Sequence, residues 1–348
     1  MRSPAVITPR LSRGRRVAAA ALSSAVVVAM VATAGGTSAA ASAGSKTPAH
    51  AVRATRGTSA KRLESPIRVL SYNSLDASFD GERHPGGIGA PFAKRLPGQL
   101  ALIQQSKAAV VGIEEANACL HPNPSAPCWR QIDALNRGLT QYTLVNTSQS
   151  TYYDGNYILY NPQVVTPVRE GGDWAAGPMH PAADNRFSAF QVFRINATGA
   201  EFLFVVVHTL APAGLSYDRI RGQETQNTIN AATAYAKRVG VGPTLYVGDF
   251  NSYRGEWHVH DYSGQAIRKA GIHDGILYAD KLVNAKYDSI NELYRHARKG
   301  HGSADHIYGS GGVGFATWGE LLHLKHGNFV GTIPSDHNPV YADVEIPY

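Results

Sequence analysis

Six segments of this 348-residue chain set a carboxylate, a carboxamide or an imidazole beside a short apolar run. Asn73 closes Arg68-Val69-Leu70-Ser71-Tyr72, and Glu114-Glu115 close Val110-Val111-Gly112-Ile113. His208 follows Val205-Val206-Val207, while Asp249 and Asn251 follow Leu245-Tyr246-Val247-Gly248. Asp305 stands before Ile307-Tyr308, and Asp336-His337 before Pro339-Val340-Tyr341. A polar group at the end of a buried strand costs about 1–3 kcal/mol when nothing satisfies it. One such residue is an ordinary strand end; six imply convergence on a shared site. Hard oxygen donors such as Glu, Asp and Asn suit Mg²⁺, Mn²⁺ or Ca²⁺ rather than copper or thiolate-bound zinc. Histidines beside carboxylates supply acid–base capacity. A cation with acid–base groups and no cofactor loop points to hydrolysis of an anionic substrate. Phosphate esters fit best, because the metal screens the phosphate charge and polarises it toward attack.

The elements that must position these residues are legible in outline. Strands are expected at Ile67–Tyr72, Ala109–Ile113, Tyr157–Tyr160, Ala189–Ile195, Phe202–His208, Thr244–Val247 and Val340–Ile346. Runs such as Phe202-Leu203-Phe204-Val205-Val206-Val207 are apolar throughout, as expected of strands buried on both faces. Helices are expected at Phe92–Gln105, Trp129–Leu139 and Ser216–Arg238, the last with Ser216 as its cap. The mixture reads as α/β with central sheets and outer helices.

Composition separates three regions. Residues 1–43 read as a secretory signal peptide: Arg2, Arg10, Arg13, Arg15 and Arg16, then uncharged Val17–Ala34, then Ala41-Ser42-Ala43. The alternative, a membrane anchor, has nearly the length but little Leu, Ile or Phe. Residues 44–66 are poor in large apolar side chains and are expected to form a disordered linker. Residues 67–348 keep one texture and are expected to form one catalytic domain. Ten of the 33 basic residues but only Glu64 of the 26 acidic ones precede Ile67, which leaves 23 basic against 25 acidic. The net charge of +7 therefore belongs to the leader and linker and does not argue for a nucleic-acid-binding face. Cys119 and Cys128 bracket a Pro-rich loop and, in an exported chain, are expected to form one local disulfide.

The six motifs in this order resemble the endonuclease/exonuclease/phosphatase superfamily: Val69-Leu70-Ser71-Tyr72-Asn73, Val111-Gly112-Ile113-Glu114-Glu115, Val207-His208-Thr209, Gly248-Asp249-Phe250-Asn251, Ser303-Ala304-Asp305-His306-Ile307 and Ser335-Asp336-His337-Asn338-Pro339-Val340. The resemblance covers nearly all of Ile67–Tyr348 and implies a four-layer α/β sandwich, two central mixed sheets packed face to face with helices outside. It implies Glu115 as principal metal ligand with Asn73 beside it and Asp336 as a further candidate. It makes Asp249 the group that orients or deprotonates the attacking water, and Asn251 a holder of that water and the phosphate. His337, paired with Asp305, would bond the scissile phosphate, and His208 would act from the other side. In the nuclease branch a carboxylate ahead of a strand partners the first histidine, which Asp154 matches, and an arginine contacts phosphate, which Arg186 matches. Glu114 departs from the pattern, standing where the family usually has Gln.

Substrate is less constrained than mechanism. The motif flavour and Arg186 favour a secreted nuclease acting on DNA or RNA. A sphingomyelinase- or phospholipase C-type lipid phosphodiesterase, or a phosphomonoesterase, is the alternative. The lipid reading needs an exposed apolar hairpin, for which Val313–Trp318 is the nearest candidate. A non-enzymatic binding module fits poorly with a full set of site residues. His258 and His260 are read as surface residues, and Gly309–Gly314 as a turn, since it lacks the Lys-Ser/Thr of a phosphate loop. No obligate protein partner is evident, and a monomer is expected.

Overall fold

The apolar runs become strands because alternate residues find different partners. In Phe202–Val207, Phe202, Phe204 and Val206 enter one hydrophobic cluster, while Leu203, Val205 and Val207 enter another. Val69 likewise packs into the first cluster, and its neighbours Leu70 and Tyr72 into a third. The computed structural model describes residues 63–117, 120, 130–145, 155–175, 187–212, 214–253, 260–300 and 302–348. All of these lie within one compact unit, Gly57–Tyr348. The expected signal peptide and disulfide fall outside the described residues, and so does the expected linker up to residue 62; its last residues, Glu64–Pro66, are not linker but open the first strand, where they pair with Glu345–Pro347. No helix among the described residues is long and apolar enough to cross a membrane.

Along the chain, β1 (Glu64–Asn73) leads into a small hairpin, β2 (Arg83–His84) and β3 (Gly87–Ile88), and then α1 (Phe92–Ser106). β4 (Val110–Glu114), α2 (Gln131–Gly138), β5 (Thr143–Leu144), β6 (Tyr157–Tyr160), β7 (Val165–Pro167) and β8 (Gly172–Ala175) follow. Next come β9 (Phe187–Ile195), β10 (Glu201–His208), α3 (Leu215–Val239), β11 (Thr244–Asp249) and α4 (Tyr262–Lys269). The last part holds β12 (His273–Asp274), α5 (Gly275–Tyr278), β13 (Lys281–Val283), β14 (Asp305–Ser310) and β15 (Gly314–Glu320). A second small hairpin, β16 (Leu324–Lys325) and β17 (Asn328–Phe329), precedes β18 (Val340–Pro347).

Among the described residues two seven-stranded mixed sheets form. The first runs β13-β15-β18-β1-β4-β6-β5; the second runs β12-β14-β11-β10-β9-β7, with β8 also paired to β9. Val69, Val110, Phe204, Val247, Ile307, Trp318 and Ala342, drawn from both sheets, share the core between them. α1 and α2 cover the outer face of the first sheet through Ile103, Ile132 and Leu135. α3 and α4 cover the second through Ile229, Ala232 and Ile267. This is the expected four-layer α/β sandwich.

Two local expectations fail. Ser216 does not cap α3, which begins at Leu215 after Gly214; a φ of 125° there turns the chain into the helix with no side-chain cap. Val313–Trp318 is no exposed hairpin either. Val313, Phe315 and Trp318 are 4, 5 and 1% exposed, because the segment leads into and forms β15 and faces the opposite sheet.

Candidate active site

Strand register brings the motif residues to one rim. The parallel pair β1–β4 sets Asn73 beside Glu114, and the parallel pair β10–β11 sets His208 beside Asp249. The antiparallel pair β11–β14 places Asp249 opposite Asp305. Asp336 and His337 lie in the turn entering β18, tied to β1 by the Ser335 hydroxyl, which donates to the Asn73 carbonyl at 2.7 Å. Gly248 precedes Asp249 with φ 145°, and a Cβ there would lie 1.8 Å from the Val207 carbonyl oxygen. Only glycine fits that approach.

Asp249 is the hub of the buried half. Its Oδ2 lies 3.7 Å from His208 Nε2 and 3.7 Å from His337 Nε2, and accepts from Asn73 Nδ2 at 3.2 Å. Its Oδ1 accepts from the Asn251 backbone N–H at 2.8 Å. Burial pushes the Asp249 carboxyl up to about 7, with His337 opposing and Asp305 adding to the shift. Asp305 Oδ2 holds His337 Nδ1 at 2.9 Å. Burial alone would lower the His337 imidazole, but Asp305 and Asp249 together raise it well above its usual range. The two carboxylates thus favour the charged form of His337, whose Nε2 faces Asp249. Asn251, with φ 44°, commits its amide Nδ2 to the Thr209 carbonyl at 3.0 Å.

Glu115 and Asp336 form a more open half, with side chains 21 and 18% exposed against 2 and 1% for Asp249 and Asp305. Glu115 adopts φ 57°, a conformation that non-glycine residues hold at a cost of about 1–3 kcal/mol and chiefly at functional sites. Its Oε1 accepts from Asn73 Nδ2 at 2.9 Å and its Oε2 from the Asp76 backbone at 3.1 Å. Burial raises its carboxyl, and the Asp336 charge raises it further. Two carboxylates that repel each other beside a carboxamide are a donor set suited to a hard divalent cation. Donor atoms of Asp249, Asp305 and His337 also lie within 4.8 Å of one another. There, however, His337 Nδ1 is already taken by Asp305 at 2.9 Å, while its Nε2 stands 3.7 Å from Asp249 Oδ2, so that trio is better described as a hydrogen-bonded pair facing a carboxylate.

Thus Asn73, Glu115, His208, Asp249, Asn251, Asp305, Asp336 and His337 meet at one rim. Asp154 and Arg186 lie outside the described residues. Glu114, fully buried, takes a hydrogen bond from the Ser71 hydroxyl at 3.2 Å; burial, then Asp305 and Asp249, hold its carboxyl well above the usual range. Sequence reasoning missed the residues that brace the rim from α1. Arg95, fully buried, donates to the Ser74 and Leu75 carbonyls at 2.8 and 3.0 Å and pairs with Asp80 at 2.9 Å. Gln99 bridges the Ser74 and Pro334 carbonyls at 2.7 and 2.8 Å. A polar residue on a helix reads as solvent-facing, so nothing in the sequence marked either. His84, which reaches Asp336 from the β2–β3 hairpin, was missed for a similar reason: it sits in a loop-like stretch with no strand beside it.

Fold and rim together define a two-sheet α/β sandwich whose strand ends gather histidines, carboxylates and carboxamides. No family model matches the sequence, and no curated protein matches it. Solved structures do. An endonuclease/exonuclease/phosphatase family protein from Bacteroides thetaiotaomicron aligns with 82% of this chain and 96% of its own, at TM-score 0.62 and 18% identity. A mannosyl-6-phosphatase from the same organism aligns with 80% of this chain and 99% of its own, at TM-score 0.60 and 18% identity. D. rerio TDP2 complexed with single-strand DNA product aligns with 80 and 99%, at TM-score 0.52 and 14% identity. The fold of this chain is that of the endonuclease/exonuclease/phosphatase superfamily. On that fold the chain gathers the eight rim residues described above.

Proposed function

We propose that this chain is an exported, divalent-metal-dependent phosphodiester hydrolase, with nucleic acid as its substrate. One observation carries the hydrolase reading: Asp249 Oδ2 is held 3.7 Å from the Nε2 atoms of both His208 and His337, with Asp305 behind His337. A carboxylate between two imidazoles can take a proton from water while the imidazoles face the phosphate oxygens. Asp249 is the base, poised by burial to change charge near neutral pH. Asp305 keeps His337 protonated, so its Nε2–H can donate to a phosphate oxygen on which charge grows in the transition state. His208 donates from the opposite side, and Asn251 holds the water and phosphate. Glu115, Asn73 and Asp336 would hold Mg²⁺, Mn²⁺ or Ca²⁺. A cation there supplies charge neutralisation and polarisation of the phosphoryl group.

The nucleic-acid choice is supported by the motif pattern His208, Asp249, Asn251, His337 and by the likeness to TDP2 with its single-strand DNA product. The likeness to a mannosyl-6-phosphatase favours a second reading, a phosphomonoesterase acting on a sugar phosphate. The lipid reading loses its hairpin, since Val313–Trp318 is buried. The discriminating experiment gives the purified protein plasmid DNA, RNA, a bis-aryl phosphodiester, mannose 6-phosphate and sphingomyelin, each with Mg²⁺ and with EDTA. Cleavage of DNA or RNA supports the first reading. Activity on the monoester alone replaces it with the second, and activity on sphingomyelin alone overturns both substrate choices.

A further inference from the structure

The β2–β3 hairpin, inserted between β1 and α1, is built to hold one side chain against the metal-binding half of the rim. Backbone bonds lock it: Gly81 N–H donates to the Gly89 carbonyl at 3.1 Å, Gly89 N–H to Glu82 at 3.0 Å, and Gly86 N–H to Glu292 at 2.9 Å. The turn lies so close to its neighbour that a Cβ on Gly86 would fall 2.1 Å from the Tyr294 backbone nitrogen. That neighbouring segment in turn donates from Asn291 and Glu292 to the Asp336 carbonyl, at 2.7 and 3.0 Å. At the hairpin's base, Asp80 pairs with buried Arg95 and accepts from the Phe92 backbone at 2.7 Å. The hairpin and Asp336 are therefore fixed to one frame.

Within that frame His84 Nδ1 lies 3.4 Å from Asp336 Oδ2. Its Nε2 is buried and has no hydrogen-bond partner among the described residues. An orphaned buried N–H is rarer than an orphaned acceptor, so the proton belongs on Nδ1, facing Asp336. Among the described residues the other side-chain hydrogen bond to this carboxylate comes from the Ser335 hydroxyl, at a long 3.4 Å from Oδ1. We propose that His84 is a positioning residue of the metal site, whose Nδ1–H fixes the rotation of the Asp336 carboxylate so that it meets the cation in one orientation. The hydrogen-bond partners of a ligating carboxylate commonly set its affinity for metal. This inference rests on the metal reading proposed above.

The test is direct binding of Mn²⁺ to the purified protein by calorimetry, with thermal melts to verify folding. His84→Phe keeps the ring and removes the donor, and its Mn²⁺ dissociation constant should rise roughly 10- to 100-fold. His84→Gln restores an N–H donor and should recover most of that affinity. His84→Ala, expected to show the same loss as the Phe variant, replaces it should the phenyl ring not be accommodated. Turnover at saturating Mn²⁺ should change far less than the affinity. Unaltered Mn²⁺ binding in the donor-less variants, beside a wild type that binds, overturns the role of His84. Equal loss in the Phe and Gln variants overturns it too, since that marks packing rather than the hydrogen bond. A wild type that binds no Mn²⁺ defeats the metal reading itself, and this inference with it.

Discussion

The two halves of the rim are made from the same residue types and differ in what surrounds them. Asp249 and Asp305, from β11 and β14, are almost fully buried and fastened to imidazoles. Glu115 and Asp336, in the turns after β4 and before β18, keep about a fifth of their side chains open and rely on backbone donors, Asn73 and His84. In the buried half, low dielectric converts proximity into displaced protonation: Asp249 shifts up to about 7 and His337 shifts upward as well. In the open half, water keeps access to carboxylates whose mutual repulsion a cation would relieve. On the proposed reading, burial rather than residue identity separates proton transfer from cation binding.

The largest effect should come from emptying the open half. EDTA is expected to abolish hydrolysis and added Mg²⁺, Mn²⁺ or Ca²⁺ to restore it; full turnover in chelator would break the division of labour. Next is the buried half. Asp249→Asn and His337→Ala should each lower turnover by at least about 100-fold, with an unchanged circular-dichroism spectrum. A near-native rate from either would remove Asp249 or His337 from the chemistry.

Loss of the brace should reach both halves less severely. Arg95→Ala leaves the Ser74 and Leu75 carbonyls without their donor and should lower stability by about 3 kcal/mol, read by urea unfolding. The pH response sharpens the contrast further. Asp249 must be ionised to act as base, so turnover should fall as pH drops through about 7. The smallest effect is expected at Glu114. Its carboxyl is raised by burial, so the folded state favours the protonated form, and ionising the unfolded chain costs stability as pH rises past about 4.5. Glu114→Gln should therefore raise the melting temperature at pH 8 by a few degrees. The gain should vanish below pH about 4, where both states are protonated.

Much of this was legible before any coordinates. Tyr157–Tyr160 is a strand as expected, β4 is shifted by one residue, and β1, β9, β10, β11 and β18 extend the expected runs by a few residues at most. Continuous apolar runs betray strands with two buried faces, and polar residues at their ends betray a rim. β14 and β15 were not read as strands, because Gly309, Gly314 and Gly319 interrupt their apolar pattern. The short β2–β3 hairpin was equally silent, since two-residue strands have no periodicity to detect.

By itself the sequence determined the layered α/β architecture and the identity of eight rim residues, because strand burial and hard-donor composition are local properties written residue by residue. Tertiary structure alone decided which carboxylates are buried and which are open, that Asp249 stands between two imidazoles, and that Arg95, Gln99 and His84 belong to the site. Those facts depend on distances between segments far apart in the chain, such as Asn73 and Ser335, which only the pairing of β1 with β18 brings together.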